Sequence, residues 1–345
     1  MNNRTVLWLS GTLVVLAILA TVGQRDQQPQ TTSGQLFLPA LSASLDDVRR
    51  IEFTGSGEEV IATLERGESN WAVLEKSSYR ADLTKTRNLL LSLAETQILE
   101  FKTADPMLHN RLGVEALASE TASGVGIRLI GPAESVEVIV GDAEGNSQRY
   151  VRRQGEDQSY LINRDPDIGT SATDWLDTPV IDVEGNRVQY VTVTRPDGGE
   201  VIISKAAREQ ANFTVDNIPQ GRALSYDSIP NVIGNVLEDL TLDDVEQDTA
   251  TTEEKIVTEF KTFDGITITA HSFERGDTAW TSFIAMVDPT LSDVSEEARS
   301  VAETEVIEIN ARVGGWRYQI PAFKFEQLTR EMEDLLQDIE EEPVE

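Results

Sequence analysis

Seventeen consecutive residues, Val6 to Val22 (VLWLSGTLVVLAILATV), carry no charge, with Arg4 before them and Arg25 after them. At ~1.5 Å of rise per residue such a run reaches roughly 26 Å, the thickness of a bilayer's hydrocarbon core. The apolar side chains Val6, Leu7, Trp8, Leu9, Leu13, Val14, Val15, Leu16, Ile18, Leu19 and Val22 read as a membrane anchor. A cleaved secretory signal shares the basic start and the apolar middle, but its core spans only ~7 to 15 residues and ends at an A-x-A site. Thr21-Val22-Gly23 is a poor substitute for that site, and a chain without cysteine has no lipidated N-terminus. The short tail before the run and the long polar remainder after it predict a single-pass signal anchor with an extracytoplasmic C-terminal domain.

Whatever follows the anchor must therefore fold as a tethered domain, and charge narrows its partners. Sixty acidic against 29 basic residues give a formal charge of -31, which repels nucleic acid and anionic headgroups. Zero cysteines exclude a disulfide framework, yet a chain of this length buries ordinary cores without one.

Gln24 to Gln35 (QRDQQPQTTSGQ) is polar, with Pro and Gly and no apolar period, and reads as a flexible linker. Beyond it the chain repeats itself. The segment starting at Val48 parallels the one starting at Val188: Glu59-Val60 matches Glu200-Val201, and Asn70-Trp71 matches Asn212-Phe213. Alternating apolar residues between turn clusters give hairpins in both. Leu83, Leu90, Leu93 and Ile98 predict a helical stripe in the first copy, and Ile229, Val232, Ile233, Val236 and Leu240, capped by Asp227, a stronger one in the second. Further strands follow, with Tyr150 matching Trp280 and Tyr160 matching Tyr318. The copies differ by inserts at Asp105 to Glu115 and Asp288 to Gly315, the latter reading as a helix, and a long helix is expected over Phe323 to Ile339. The fold class that results is α+β: a transmembrane helix (1–23), a linker (24–35), two tandem repeats of antiparallel sheet with helices on one face (36–179 and 180–340) and an acidic tail (341–345). Polar alternation at Glu137, Arg152, Thr267 and Thr269 places the other sheet face in water.

Catalytic signatures are missing. The two histidines, His109 in a short helix that Gly113 ends and His271 closing a strand, have neither zinc spacing nor a nucleophile elbow. No phosphate loop of either common type occurs, so no nucleotide is expected to bind directly. Asp142 to Asn146 and Asp182 to Asn186 put oxygens around a Gly turn but do not match a calcium loop and read as ordinary turns. No catalytic, cofactor or metal residue is assigned, and no cofactor is expected. The rival to a binding or scaffold role is a hydrolase or binder of cell-wall or surface polysaccharide that uses a carboxylate pair at the repeat junction.

Leu36 to Leu41 before Leu45-Asp46-Asp47-Val48, the strand pair ending in Asn70-Trp71, Arg111-Leu112-Gly113-Val114, Tyr150-Val151-Arg152 and Asp174-Trp175-Leu176 together carry a resemblance. Over Leu36 to Leu336 the chain resembles the bacterial membrane-anchored family called domain of unknown function 4340. The resemblance implies an inner (cytoplasmic) membrane protein with a periplasmic domain. It also implies a role as non-catalytic accessory to an ABC-type transporter of a gliding-motility-like class, with permease and ATPase subunits as partners.

Overall fold

The computed structural model describes residues 34–131, 135–288 and 295–337. The expected anchor at Val6 to Val22 and the acidic tail lie outside the described residues, among which no helix is long and apolar enough to cross a membrane. The described chain is α+β, mostly antiparallel sheet with a few helices, and divides into two compact units. Among the described residues, one lies within 34–71 and 83–171, the other within 72–82 and 172–337.

Up to the middle of the chain the elements are α1 (Pro39–Ser44), β1 (Arg50–Thr54), β2 (Val60–Arg66), β3 (Trp71–Val73), β4 (Tyr79–Arg80), α2 (Leu83–Glu95), β5 (Ile98–Phe101), β6 (Val125–Ile130), β7 (Val136–Glu144), β8 (Gln148–Arg153) and β9 (Ser159–Ile162). In the first unit the strands run in the order β2-β1-β6-β7-β8-β9-β5. The chain enters this sheet at its β5 edge, where Leu36 bridges Gln97 and the Ile98 amide donates to the Gln35 carbonyl at 2.8 Å. The helical stripe of α2 is Thr86, Leu89, Leu93 and Ala94. Leu83, expected in that stripe, is 56% exposed at the helix start, and Ile98 belongs to the following strand.

The remaining elements are β10 (Pro179–Ile181), β11 (Val188–Thr194), β12 (Glu200–Ser204), β13 (Thr214–Val215), α3 (Asn231–Gly234), β14 (Leu240–Thr241), β15 (Asp244–Gln247), β16 (Ile256–Thr262), β17 (Ile266–Arg275), β18 (Thr278–Val287), α4 (Glu296–Val313), β19 (Trp316–Gln319) and α5 (Ala322–Leu328). Their main sheet runs β13-β12-β11-β16-β17-β18-β19-β15. From β12 to β15 this is the order of the first sheet, strand for strand. Residues 72–82 belong with this second unit, because buried Tyr79 sets its ring edge-on to Trp316 (4.9 Å between centroids) and to buried Tyr318 (6.2 Å).

Two expected helices are shorter in the structure. The stripe from Ile229 to Leu240 is buried at Ile229, Ile233, Val236 and Leu240, but only Asn231–Gly234 is helical and Asp227 does not cap it. The Phe213 ring lies where a Cβ on Gly234 would stand, 2.1 Å away, and the Asn231 side chain accepts the Phe213 amide at 3.0 Å. That packing fixes a single turn at the glycine. The C-terminal helix stops at Leu328 instead of reaching Ile339, because side chains capture its last carbonyls. Thr258 donates to Leu328, Thr329 donates back to Phe325, and Arg195 donates to Thr329 at 2.8 Å.

The expectation of a wet second sheet face fails at two of its four positions: Arg152 is 6% exposed and Thr267 4%. Four successive buried residues in β7 (Val138–Gly141), in β9 (Ser159–Ile162) and in β18 (Trp280–Phe283) show the same thing. Alternation puts neighbours on opposite faces, so both faces are covered there. His271, expected at a strand end, lies within β17, opposite Ser282.

Candidate functional site

The first unit covers its second face with the chain between β5 and β6. A short 3-10 helix, Pro106–Arg111, starts at Asp105, whose carboxylate accepts the Met107 amide at 3.0 Å, and buries His109, whose Nε2 lies 2.8 Å from the Asp157 carbonyl. The following turn lies directly on the strands. Val114, Leu117 and Ile139 form a small core with Leu112, Ala122 and Tyr150 against them. Glycines make this approach possible. A Cβ on Gly141 would sit 2.1 Å from the Leu112 carbonyl, one on Gly124 2.2 Å from that of Gly113, and one on Gly126 2.5 Å from Leu117. Arg152 clamps the turn from below, donating to Val114 at 2.7 Å and to Glu156 at 2.9 Å. Burial away from water lowers its pKa.

Beyond the covered turn, the same face carries an ion-pair ladder. Arg128 reaches Glu137 at 2.8 Å and Glu52 at 3.8 Å, and Arg50 reaches Glu65 at 3.3 Å. These charges are answered across the strands, beside a groove of about 270 Å³ that Glu52, Arg128 and Glu137 help to line.

In the second unit the corresponding connection is short, from Asp248 to Lys255, and different side chains fill the space. Register puts Phe273 where the first unit has Gly141, and Val257 where it has Gly126. The cross-strand pair Arg152↔Ser159 reappears with its residues exchanged, as Ser282↔Arg317. Arg317 is 4% exposed and donates to Glu246 and to the Thr249 carbonyl (3.2 Å). Its guanidinium lies 5.5 Å from the Phe273 ring centroid and 5.7 Å from that of Trp280, and Arg275 joins both Glu246 (2.9 Å) and Trp280 (5.3 Å). His271 stands on this face. Burial, reinforced by the Lys255 charge and opposed by Asp248, lowers its pKa. Farther along, Ile284 and Met286 are exposed at 47% and 46%.

The third feature is α4, the helix of the second insert. Ser295 caps it by accepting the Ala298 amide at 3.2 Å. Asn310 ties it to the edge of β18 by giving Ala285 both halves of a strand-like pair, at 2.9 Å and 2.8 Å. Arg187 holds it at a second point with a bidentate grip on Glu305 (2.9 and 2.8 Å) and a bond to Asp264 at 2.8 Å. Those hydrogen bonds, Glu305 first, raise the Arg187 pKa against the effect of burial. Burial pushes the Asp264 carboxyl up, but its bonds from Arg187 and Arg208 hold it below the usual carboxylate range. Only Ala302 and Val313 of the helix's 18 residues are buried. Beside its inner edge lies a groove of about 620 Å³ with Arg80 and Arg312 at one end and Asp182, Glu305 and Glu308 among its walls. Both arginines pair with Asp177, Arg80 at 2.6 Å and Arg312 at 3.5 Å.

No group of three or more metal-ligating residues occurs among the described residues. The two Asp-Gly turns of the sequence serve the fold. Asp142 donates its amide to Leu112 at 2.9 Å, and Asp182 accepts the Asp239 amide at 3.1 Å. The glycines beneath the covering turn are a signal that sequence reading passed over, since Gly124, Gly126 and Gly141 sit in or beside strands where glycine has no propensity reason to be.

No curated protein and no solved structure matches the chain. One family model, described as Domain of unknown function (DUF4340), matches residues 71–258, which is more than half of the 345. That range takes in three of the recognition segments, the covering turn at Arg111–Val114, Tyr150–Arg152 and Asp174–Leu176, while Leu36–Val48 falls before it. By that match the chain belongs to the DUF4340 family.

Proposed function

We propose that this protein is a non-catalytic, extracytoplasmic binding or scaffold subunit of a membrane complex, accessory to an ABC-type transporter. In this reading Val6 to Val22 is a transmembrane signal anchor in a bacterial inner membrane. The domain beyond it consists of two tandem copies of one α+β module, with helices on one face of each sheet. The observation that carries the proposal is α4, a well-capped helix bolted to a strand edge at Asn310 while 12 of its 18 residues stay exposed. A helix gains most of its stability from the face it buries, so one held this way is a presented surface more than a piece of core. Permease and ATPase subunits are the partners proposed, and any energy use falls to them. The acids with the best-defined surroundings, Glu305 and Asp264, are committed to Arg187, which lends no support to a carboxylate pair for polysaccharide hydrolysis.

Co-purification tests the reading. The tagged full-length chain, extracted from its own membranes in mild detergent, is expected to bring permease and ATPase subunits in fixed proportion. Recovery of the intact chain alone would overturn it.

A further inference from the structure

We propose that the outward face of α4 is a docking strip for a cationic amphipathic segment of a partner protein. Val301, Thr304 and Ile307 follow one another at three-residue spacing and so share the side of the helix opposite buried Ala302 and Val313. Val301 is 62% exposed and Ile307 68%. Carboxylates flank this aliphatic line on both sides, Glu297 and Glu303 in the row along one and Glu296 and Glu308 in the row along the other. Glu297, Glu303 and Glu308 have no ion-pair partner among the described residues, in contrast to Glu305, which turns inward to Arg187.

The strip is also fixed in orientation. Asn310 and Glu305 pin the helix from its inner side, so it cannot roll to bury Val301 or Ile307. An apolar line between two acidic rims is the complement of a helix or strand with one apolar face flanked by Lys or Arg. An open groove of about 1040 Å³ runs along Glu297, Val301, Thr304 and Glu308 and has room for such a segment. Anionic lipid surfaces and nucleic acid are repelled by the same carboxylates.

The inference rests on the binding-subunit reading but names the chemistry of the contact, and the two fail separately, because its test uses purified protein and synthetic peptides. Fluorescence anisotropy would compare a labelled Lys/Leu amphipathic peptide of α4's length with a scrambled Lys/Leu peptide of equal charge, titrated with the full-length chain. The variants are V301S/I307S, E297K/E308K and, as a control for net charge, E68K/E274K on exposed positions elsewhere. The amphipathic peptide should bind about tenfold tighter than the scrambled one, and each α4 variant should weaken it about tenfold. The control should stay within about twofold. Equal binding of the scrambled peptide, no binding of either peptide, or a control as damaging as the α4 variants would overturn the proposal. Circular dichroism of each variant separates loss of contact from loss of fold.

Discussion

The two sheets share one strand order and treat their second faces in opposite ways. In the first unit the connection before β6 is long, and it lies on the strands over Gly124, Gly126 and Gly141, with Arg152 holding it from beneath. In the second the connection is short, and Phe273, Trp280 and Arg317 stack into the space instead. One topology thus accepts either a backbone cover or a side-chain cover, and the choice shows in whether a strand position is glycine or phenylalanine. The first unit closes its face with the turn and carries cross-strand ion pairs beyond it. The second keeps exposed aliphatic residues at Ile284 and Met286 and adds a helix whose outer side is free.

Putting the second unit's residue into the first should break the comparison most visibly. Gly141→Phe drives a ring into the Leu112 carbonyl and is expected to cost more than about 4 kcal/mol in urea unfolding; a tolerated ring would mean that the turn does not lie on β7. The reverse truncation, Phe273→Ala, removes a buried ring that lies against the Arg317 guanidinium and the Lys255 ammonium and should cost about 3 kcal/mol. Next come the exchanged arginines. Arg152→Met leaves the Val114 and Glu156 carbonyls short of a donor and should cost about 2 kcal/mol, with faster proteolysis of the turn around Arg111 as a second readout. A change confined to global stability, with no local opening, would argue against Arg152 as the clamp.

Acid response sharpens the contrast with smaller effects, and both groups concerned lie in the second unit. Asp264 has a folded pKa below its ordinary value of 3.8. Its contribution is therefore present above that value and is lost as pH falls through the lower, folded one. His271 is also lowered, from 6.5, so its neutral form favours the fold above that pH, and stability declines as pH falls below it. Unfolding midpoints at pH 7.5 and 5.5 should separate in the wild type and draw together in His271→Gln. Equal separation in both would remove His271 from the account. Half-buried Glu52→Gln should change stability by no more than about 0.5 kcal/mol, as befits one rung of a surface ladder.

Much of the sheet architecture was legible in sequence, because alternation and turn residues act locally. The hairpins at Gly55–Gly57 and Pro196–Gly199, the pairing of Tyr150 with Trp280 as equivalent positions and the helix after Asp288 all come from that local signal. The failures share a cause. The C-terminal helix ends at Leu328 because donors from Thr258 and Arg195, distant in sequence, take its carbonyls. The Ile229 stripe stays short because the ring of Phe213 packs on Gly234. Arg152 looked like a water-facing residue because nothing near it in sequence announces the turn that covers it. Nor does any local pattern tell that Tyr79 packs with Trp316 and Tyr318. The outer strip of α4 was legible only as a helix in an insert; its free face emerged once Ala302, Asn310 and Val313 were seen to be the inner side.

Native-state hydrogen exchange on the purified full-length chain tests the contrast between a backbone cover on the first sheet and a side-chain cover on the second most directly. The amides of Glu58, Val114 and Asp142, which donate to or from the covering turn, are predicted to exchange as slowly as the neighbouring strands β6 and β7. The outer amides of the short connection Asp248–Lys255 are predicted to exchange orders of magnitude faster. Equal, fast exchange at Val114 and Asp142 would contradict the account, since no backbone would then lie closed on the first sheet's face.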